Sequence, residues 1–579
     1  MKRIRFFLGL ILVVAFALTA YGIQVGVPFR WFVDETYAIS VRILTTRSLT
    51  PVLSDMWHPS AYPIVLAIFL IPYFAWLKIT HYPLELAGKS ASISWTSLAF
   101  DYPDLASGII LWSRLLSVLL GVASCYIVYR LGKKLDNVRS GLLAALVLAT
   151  TMDFCGTNHF ATRTPLVNFL VLLSFYYVVR FYDSDFKRRF IKVAALVAGL
   201  SISTKVTGLI SLAPLCVVWL FNKKKSRLLS KIVVFLLLGI LVGNPKLLTE
   251  VSLYLQGYSV MLGSFSRAGE GDPIGLYERS AALVNYFLQI VYGMGIPFSL
   301  SALIGCFFYY SEQRSIFKKL IIAAMLLSYW IAISMTEYGF KDAPSKGSVL
   351  LLPYLALLAG IGLERLLSNR NGRWVRWSLV IIVFVYSFWH CLSSDWVFVK
   401  GDTRYQVTKW IKENVPKRSK IEFFSLINRG ASEELYKDYQ ILFGGFNSAE
   451  LKGISPFKEY TGIKETMGEY DPYYASILNS GPKGEYVLLS FDFFGEIEML
   501  EKGDTPISTV RVAVVQRLLQ GEYPYRRIKE FIPKNNKIAS KRFRGVAMPI
   551  SFWKNPISNI GYVSPIIYLY KKVNEPNRG

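Results

Sequence analysis

Long apolar runs recur along residues 6–393 of this chain, each close to the roughly 20 residues that a helix needs to cross the hydrocarbon core of a membrane. Of the 579 residues, 53% are hydrophobic and only 18% are charged, which excludes a soluble globular enzyme. The runs stop at residue 393, and the remainder has the composition of a soluble domain. We therefore predict an α-helical polytopic membrane protein with about eleven transmembrane helices in residues 1–393, followed by an extracytoplasmic mixed α/β domain in residues 394–579.

The basic residues fix the predicted topology. Counted with the flanking Glu312 and Glu364, the N-terminal Lys2, Arg3 and Arg5 and five later basic clusters hold 24 Lys and Arg against 5 Asp and Glu, whereas the rest of the first 393 residues holds 13 of each. The later clusters lie at residues 130–139, 180–192, 223–231, 314–319 and 365–376. Because basic loops stay in the cytoplasm, the N-terminus and all five clusters are placed inside, which suits a bacterial inner-membrane protein.

This topology allows eleven spans only if residues 61–79 lie at the outer surface, as a helix broken by Pro63 and Pro72. The spans are predicted near residues 6–25, 107–130, 140–153, 164–182, 193–204, 207–222, 232–245, 283–310, 320–337, 348–367 and 377–393. The outward regions are then a first loop with surface helices (26–107), a second loop (246–282) and the C-terminal domain. A cleavable signal peptide is the alternative for the first run, and an uncleaved helix is preferred.

The net charge of +26 would suggest nucleic acid as the partner of a soluble protein. Here the excess lies largely in the inward loops, so membrane lipids are the predicted partner and nucleic acid is not. The five cysteines are scattered singly in or beside apolar runs, and no GxxxxGK[ST], HExxH or GxSxG motif occurs. These observations give no support to a disulfide framework, an ATP-driven pump, a zinc protease or a serine hydrolase.

Two adjacent carboxylates, Asp34 and Glu35, follow the first span at the outer membrane surface. A carboxylate in this position can act as a general base, which typically contributes about 100-fold to 10,000-fold to a rate. Alternatively, Asp34 caps a helix whose apolar stripe begins at Tyr37. His58 lies among Trp57, Pro59 and Pro63, where its imidazole can contact a phosphate or sugar hydroxyl or simply lie at the interface.

Four cations lie at membrane depth or just outside it: Arg114, Arg163, Lys205 and Lys346. A charge within a span costs at least about 2.5 kcal/mol on insertion scales, so such residues usually face a polar cavity or a bound anion. Several cations that converge on one outer cavity would suit a phosphate. Alternatively, each cation reaches an interface or pairs with an acidic residue such as Asp101, Asp104, Asp153, Glu337 or Asp342.

In their order along the chain, these elements resemble the GT-C glycosyltransferases, in particular the branch that holds protein O-mannosyltransferases and the aminoarabinose transferase of lipid A. The resemblance covers most of residues 1–420. The family's acidic pair corresponds to Asp34 and Glu35, and its HPPLxxP-like element corresponds to residues 58–63, with Ser60 and Ala61 in place of Pro and Leu. The other matching elements are an Arg-Leu in residues 112–117, an Ala-Arg in 161–164, a Gly-Leu with Thr-Lys in 199–205, a Lys-to-Pro spacing in 346–353, and residues 402–416 after the last span.

The resemblance implies a GT-C-like fold and a polyprenyl-phosphate-sugar donor, with its tail in the bilayer and its sugar phosphate at the outer surface. Asp34 would deprotonate an acceptor hydroxyl that attacks the anomeric carbon with inversion. Glu35 would orient Asp34 or raise its pKa by like-charge repulsion. Which of the two carboxylates is the base stays open. Three cations would stabilise the leaving phosphate: Arg114, Lys205 and Lys346. Arg163 and the His58 imidazole would position the donor or the acceptor.

No cofactor is implied by the resemblance. A metal ion at the acidic pair is an alternative, but the neighbouring cations can supply the same charge stabilisation, so no obligatory metal is predicted. The acceptor, whether lipid, glycan or protein, and the donor sugar are both left open.

The C-terminal domain mixes helix-like runs (405–414 and 510–519) with strand-like runs (420–424, 486–491 and 566–570). Its basic excess in residues 511–554 either contacts an anionic acceptor or lipid headgroups, or forms a solvated basic face. Two rival functions remain: a transporter whose path is lined by the cations, and a noncatalytic membrane sensor. The transporter leaves the acidic pair and the large external domain unexplained, and the sensor predicts that Asp34→Asn has no effect.

Overall fold

The structure is a computed structural model. It describes residues 2–27, 35, 37–49, 60–80, 102–222, 225–252, 254, 287, 290–291, 293–334, 348–368, 373–400, 402–425, 435, 438–443, 446–447, 481–491, 510–532, 541–543, 546–548 and 566–573. Three of the predicted site residues, Asp34, His58 and Lys346, lie outside the described residues.

Helices dominate the first 414 residues. They are α1 Lys2–Ala20, α2 Tyr37–Thr46, α3 Ala61–Ile79, α4 Pro103–Leu135, α5 Val138–Ala149, α6 Met152–Asn158, α7 Arg163–Asp183, α8 Arg188–Ile202, α9 Leu212–Phe221, α10 Lys225–Gly243, α11 Ile296–Ser311, α12 Ile316–Ser334, α13 Leu352–Ser368, α14 Arg373–Lys400 and α15 Thr403–Asn414, with two 3₁₀ helices at Val206–Ser211 and Ser348–Leu350. The chain is thus a helical polytopic membrane protein, as predicted.

Fewer helices than the predicted eleven meet the length and composition needed for a membrane span within the described residues. Within the described residues, six helices are long and apolar enough to cross a membrane, or seven if α5 and α6, which are bent by 62° at their junction, form one span. The apolar stretches Val206–Phe221 and Ile296–Ser311 are shorter than a full crossing. The last long helix, α14, also continues past the predicted end at residue 393 to Lys400.

The predicted break in residues 61–79 is wrong, because α3 is one continuous helix and is itself long enough to span. Pro63 lies in the first turn, where a helix has no partner for the missing N–H, and Pro72 is tolerated inside the helix. One face of α3 is buried against α4, where Tyr73 stacks on Trp112 with ring centroids 5.8 Å apart. This packing compensates for the hydrogen bond that Pro72 removes.

Glycines allow neighbouring helices to approach closely. A Cβ atom at Gly199 of α8 would lie 2.2 Å from the carbonyl oxygen of Leu236, and one at Gly239 of α10 would lie 2.1 Å from that of Leu196. Side chains on either residue would force the two backbones apart. Small residues at helix contacts are the usual device for packing helices within a membrane.

Four of the five basic clusters meet at one end of the bundle. Arg314, between α11 and α12, and Arg365, near the end of α13, both bind Asp136 after α4, with Nη2–Oδ1 distances of 2.5 and 2.8 Å. The Nζ atom of Lys134 lies 2.9 Å from Oδ2 of Asp183, at the end of α7. These ion pairs join loops that the sequence analysis placed on one side of the membrane.

The fifth basic cluster reaches the same end, because Lys231 of α10 lies within electrostatic range of Arg188 and Lys192 in α8. Lys134, at this end of the bundle, and Arg114, near the start of α4, lie in the same helix. At 1.5 Å per residue, they are about 30 Å apart along its axis. That separation is close to the thickness of a hydrocarbon core. The predicted site residues on α4 and the basic clusters therefore lie at opposite ends of the bundle.

The C-terminal part forms a small mixed sheet, and the predicted strands near 420, 486 and 566 are confirmed. The elements are β1 Lys420–Ser425, β2 Gln440–Phe443, β3 Phe446–Asn447, β4 Tyr486–Phe491, α16 Val510–Leu519, β5 Tyr525–Phe531, β6 Lys541–Phe543, β7 Val546–Met548 and β8 Ile566–Lys572. Six strands pair in the order β3-β2-β1-β4-β8-β5, with β1 parallel to β2 and β4, and β8 antiparallel to β4 and β5. Helix α15 packs on this sheet through the buried Val407 and Ile411.

Candidate active site

A buried ion pair joins the acidic pair to the bundle. The ion pair is formed by Glu35 and Arg114, and both of these side chains are 0% exposed. The Glu35 carboxylate accepts hydrogen bonds from Nε and Nη2 of Arg114 at 2.8 and 3.0 Å, which is a bidentate arrangement. It also accepts the backbone N–H of Ala161 at 3.0 Å, just before α7. The carboxylate that follows Asp34 is therefore neutralised and held by three donors.

Arg114 also fixes the turn after α1. Its Nη1 atom donates to the carbonyl oxygens of Ile23 and Val25, at 2.5 and 2.7 Å. The guanidinium lies 5.4 Å from the centroid of the Phe160 ring, within range of a cation–π interaction. Arg114 thus connects the turn after α1, the Glu35 carboxylate and the segment before α7.

This environment differs from the expectation that Arg114 contacts the leaving phosphate. Its guanidinium is wholly buried, and Glu35 and two backbone carbonyls occupy its nitrogen donors in the described structure. The acidic partner of Arg114 is Glu35, which was itself predicted to take part in the chemistry. It is not one of the acidic residues proposed above as pairing alternatives. A fully buried charge must be paired and hydrogen-bonded to be tolerated, and Glu35 satisfies that requirement.

Tyr62, near the start of α3, brings the HPPLxxP-like element to the acidic pair. Its hydroxyl is buried in the electrostatic field of Glu35 and Arg163 and lies beside Ser117 of α4. Ser117 itself donates a 2.8 Å hydrogen bond to the carbonyl oxygen of Phe160. Tyr62 was not predicted as a site residue, since its only signal in the sequence is its place near His58 in the HPPLxxP-like element.

The two remaining described cations lie close to each other. Arg163 is the first residue of α7, and Lys205 lies between α8 and the following 3₁₀ helix, with its Nζ 3.5 Å from Oγ1 of Thr164. Desolvation, and after it repulsion from Arg163, lowers the pKa of the Lys205 ammonium to about 8, although part of the side chain still reaches solvent. Two neighbouring positive charges at a helix start favour an anion between them.

A polar network fixes the start of α3 beside Lys205. The backbone N–H of Ser60 donates to Oδ1 of Asn244 at 2.9 Å, and Nδ2 of Asn244 donates to Oγ of Ser203 at 2.8 Å. The N–H of Ala61 donates to the carbonyl oxygen of Ser203 at 2.9 Å. Because Ser60 follows His58 by two residues, this network places the end of the HPPLxxP-like element near the Thr-Lys element.

The structure thus brings together four of the predicted site residues, Glu35, Arg114, Arg163 and Lys205, from four separate parts of the chain. The positions of Asp34, His58 and Lys346 lie outside the described residues, and their roles stay predictions. Within the residues that the structure describes, no group of three or more His, Cys, Asp or Glu side chains could hold a metal ion.

The helical membrane bundle thus carries a buried acid–cation cluster at one end. Residues 108–247, from α4 to just after α10, match the family model described as dolichyl-phosphate-mannose-protein mannosyltransferase. This segment includes Arg114, Arg163 and Lys205. Over this segment, about a quarter of the chain, the resemblance inferred from the sequence to membrane glycosyltransferases that use a lipid-phosphate sugar donor is confirmed.

Solved structures to which the chain is similar include ArnT from Cupriavidus metallidurans bound to undecaprenyl phosphate, at 12% identity and a TM-score of 0.46, covering 86% of this chain and 94% of that one. Another is the oligosaccharyltransferase AglB from Archaeoglobus fulgidus in complex with an inhibitory peptide and a dolichol-phosphate, at 12% identity and a TM-score of 0.48, covering 98% and 89%. No curated protein sequence matches the chain closely enough to count as a relative.

Proposed function

We propose that this protein transfers a sugar from a polyprenyl-phosphate donor to an extracytoplasmic hydroxyl acceptor, with inversion at the anomeric carbon, and that Asp34 is the general base. The acceptor hydroxyl loses its proton to Asp34 as its oxygen forms the new bond to the anomeric carbon. The bond from that carbon to the phosphate oxygen breaks, and polyprenyl phosphate leaves with the electron pair.

The observation that carries the choice of base is the state of Glu35. Its carboxylate is buried, paired with Arg114 and hydrogen-bonded to the Ala161 N–H. A base must reach the proton that it abstracts, and a carboxylate with these three donors has little capacity left to do so. We therefore assign proton abstraction to Asp34, and a positioning role to Glu35 and Arg114.

Arg163 and Lys205 support a phosphate site beside this pair. The repulsion between them, which contributes to the lowered pKa of Lys205, would be relieved by a shared anion. Negative charge grows on the leaving phosphate during transfer, so cations held in place beforehand stabilise the transition state more than the ground state. His58 and Lys346 are proposed to complete the same site.

The location of the basic clusters supports an extracytoplasmic site. The clusters meet at the end of the bundle opposite to Arg114, and basic loops face the cytoplasm in most membrane proteins. The acidic pair, the C-terminal domain and the bound sugar phosphate would then face outward, with the N-terminus inside. The acceptor is a lipid, a glycan or a protein.

The stereochemistry of the product tests this function directly. The purified full chain in lipid nanodiscs is incubated with a polyprenyl-phosphate sugar of known anomeric configuration and with membrane extracts, and the linkage in the product is determined by NMR. We expect free polyprenyl phosphate and the opposite configuration in the product. Retention would exclude a single displacement with one base, and release of sugar to water alone would contradict an acceptor transferase.

The pH dependence of transfer should report on Lys205. Below a pH of about 8 the ammonium is charged and can bind the donor phosphate, and above it the free enzyme loses this charge. We expect kcat/KM for the donor to fall as the pH rises through about 8, because that parameter reports on the free enzyme. Lys205→Arg keeps the charge to a pH above 12 and should move the fall upward. Lys78→Arg, at an exposed position at the end of α3, is the matched control. An identical alkaline fall in Lys205→Arg and wild type would remove Lys205 from the phosphate site.

A further inference from the structure

The turn after α1 is linked to Glu35 through Arg114. Its carbonyl oxygens at Ile23 and Val25 hold Arg114, which in turn holds Glu35. Gly22 and Gly26 in this turn have positive φ values of 93° and 74°, a backbone conformation that L side chains rarely adopt. A shift of this turn would therefore move Arg114 and Glu35 together.

A distant part of the chain contacts the same turn. The backbone N–H of Gly26 donates to the hydroxyl of Tyr405, at 3.3 Å, across 379 residues of sequence. Val399, near the end of α14, packs against the hydrophobic cluster that contains Val25. A Cβ atom at Gly22 would lie only 3.3 Å from Cγ2 of Val399. The turn is thus covered by the connection from α14 to α15.

That connection is itself held in place. Asp402 caps α15 by accepting the backbone N–H of Arg404 at 2.8 Å, and its carboxylate also binds the Arg404 side chain at 3.0 and 2.7 Å. Both side chains are 0% exposed. A buried and doubly bound pair of this kind has few alternative arrangements, so it fixes the first turn of α15.

Helix α15 reaches the sheet on its other side. Val407 and Ile411 lie in the core cluster that also contains Ile421 of β1 and Leu569 of β8. Trp410 contacts Phe531 of β5, with ring centroids 6.3 Å apart. One helix therefore packs into the C-terminal sheet while its first turn contacts the turn whose carbonyl oxygens hold Arg114.

From these contacts we propose that Tyr405 and Val399 are positioning residues, through which the C-terminal sheet domain sets the geometry of the acidic pair for sugar transfer. This inference rests on the proposed function. The described contacts of this turn run through Arg114 to Glu35, whereas the proposed donor phosphate lies at Arg163 and Lys205. The contact should therefore affect the chemical step rather than donor affinity.

The test compares Tyr405→Phe and the double variant Val399→Ala/Tyr405→Phe with Tyr439→Phe, all in the full chain in nanodiscs. Tyr439 is the matched control, because its hydroxyl donates to the carbonyl oxygens of Ile411 and Val415 at the far end of the same helix. Two readouts are made: hydrogen–deuterium exchange of the peptide that spans residues 22–27, and kcat, KM for the donor and the acid limb of the pH–rate profile.

We expect faster exchange in residues 22–27 for both Tyr405 variants, and a kcat lower by about threefold to tenfold in Tyr405→Phe, as the loss of one hydrogen bond in the network implies. KM for the donor should stay within about twofold of wild type, and the acid limb should shift, which a purely structural weakening would leave in place. Tyr439→Phe should leave the exchange of this peptide and the acid limb as in wild type.

Unchanged exchange in both Tyr405 variants, or equal effects of Tyr439→Phe, would overturn the inference even in an active enzyme. If exchange rises in the Tyr405 variants but wild type transfers no sugar from any donor, the contact stands and the proposed function fails instead. If exchange rises while kcat and the acid limb stay unchanged in an active enzyme, the contact exists but does not position the acidic pair, and the inference is again overturned.

Discussion

Arg114→Ala is expected to destabilise the chain by about 3–5 kcal/mol and to abolish sugar transfer. Removing one partner of a buried ion pair leaves the other charge without compensation, and that cost falls in this range. Glu35 would be left buried beside the Ala161 N–H alone, and the turn after α1 would lose its link to α4. The measurement is equilibrium unfolding in mixed micelles, together with transfer activity.

Two comparisons separate charge from packing in this prediction. Lys134→Ala removes one partner of the partly exposed pair with Asp183, with 26% and 22% of the two side chains accessible, and should cost no more than about 1 kcal/mol. The double variant Glu35→Gln/Arg114→Met removes both buried charges, so it should regain much of the stability without regaining activity. Wild-type stability in Arg114→Ala would show that the ion pair does not hold this part of the fold.

Asp34→Asn is expected to lower kcat by about 100-fold to 10,000-fold, the range that a general base contributes, with little change in the free energy of unfolding. The substitution keeps the size of the side chain and removes only its ability to accept a proton. Glu35→Gln should behave differently, since it removes the charge that pairs with Arg114 and should reduce stability as well as activity. Both variants are measured for kcat and for unfolding in the same preparation.

This pair of variants decides between the two carboxylates. If Asp34→Asn kept full turnover while Glu35→Gln stayed fully folded and inactive, the roles assigned here would be reversed. If neither variant lost turnover, the acidic pair would have no part in the chemistry.

The sequence was sufficient to predict a helical membrane protein and the order of its site elements. Apolar runs and basic clusters depend only on local composition, and the ion pairs that join Asp136 to Arg314 and Arg365 agree with the predicted grouping of the loops. The family resemblance could be inferred because the motifs occur in a fixed order. Three strands of the C-terminal sheet were also predictable, since β1, β4 and β8 are runs rich in apolar and aromatic residues.

The number of spans could not be predicted from apolar runs alone. Composition does not reveal where a run bends, as at the 62° junction of α5 and α6, or that α3 continues through Pro72. Whether a proline breaks a helix depends on the packing around it, and the partner face for α3 comes from α4, which begins at Pro103. Such contacts between separate segments have no local signal.

The roles of the buried site residues could not be predicted from the sequence either. Spacing indicated that Arg114 lies inside a span, but not that its partner is Glu35, which is 79 residues earlier in the chain. A sequence pattern shows that a charge must be compensated without showing which residue compensates it. The contact between Gly26 and Tyr405 is of the same kind, because it depends on how the last long helix returns to the first.

The most direct test of the central claim is to supply the purified full chain, reconstituted in liposomes, with radiolabelled sugar either as a polyprenyl phosphate or as a nucleotide sugar. Lipid, protein and glycan acceptor fractions are then assayed for label. We predict that label moves into one acceptor fraction from the lipid-linked donor alone. Transfer from the nucleotide sugar, or movement of label across the bilayer with no covalent product, would contradict the account and favour another transferase or a transporter.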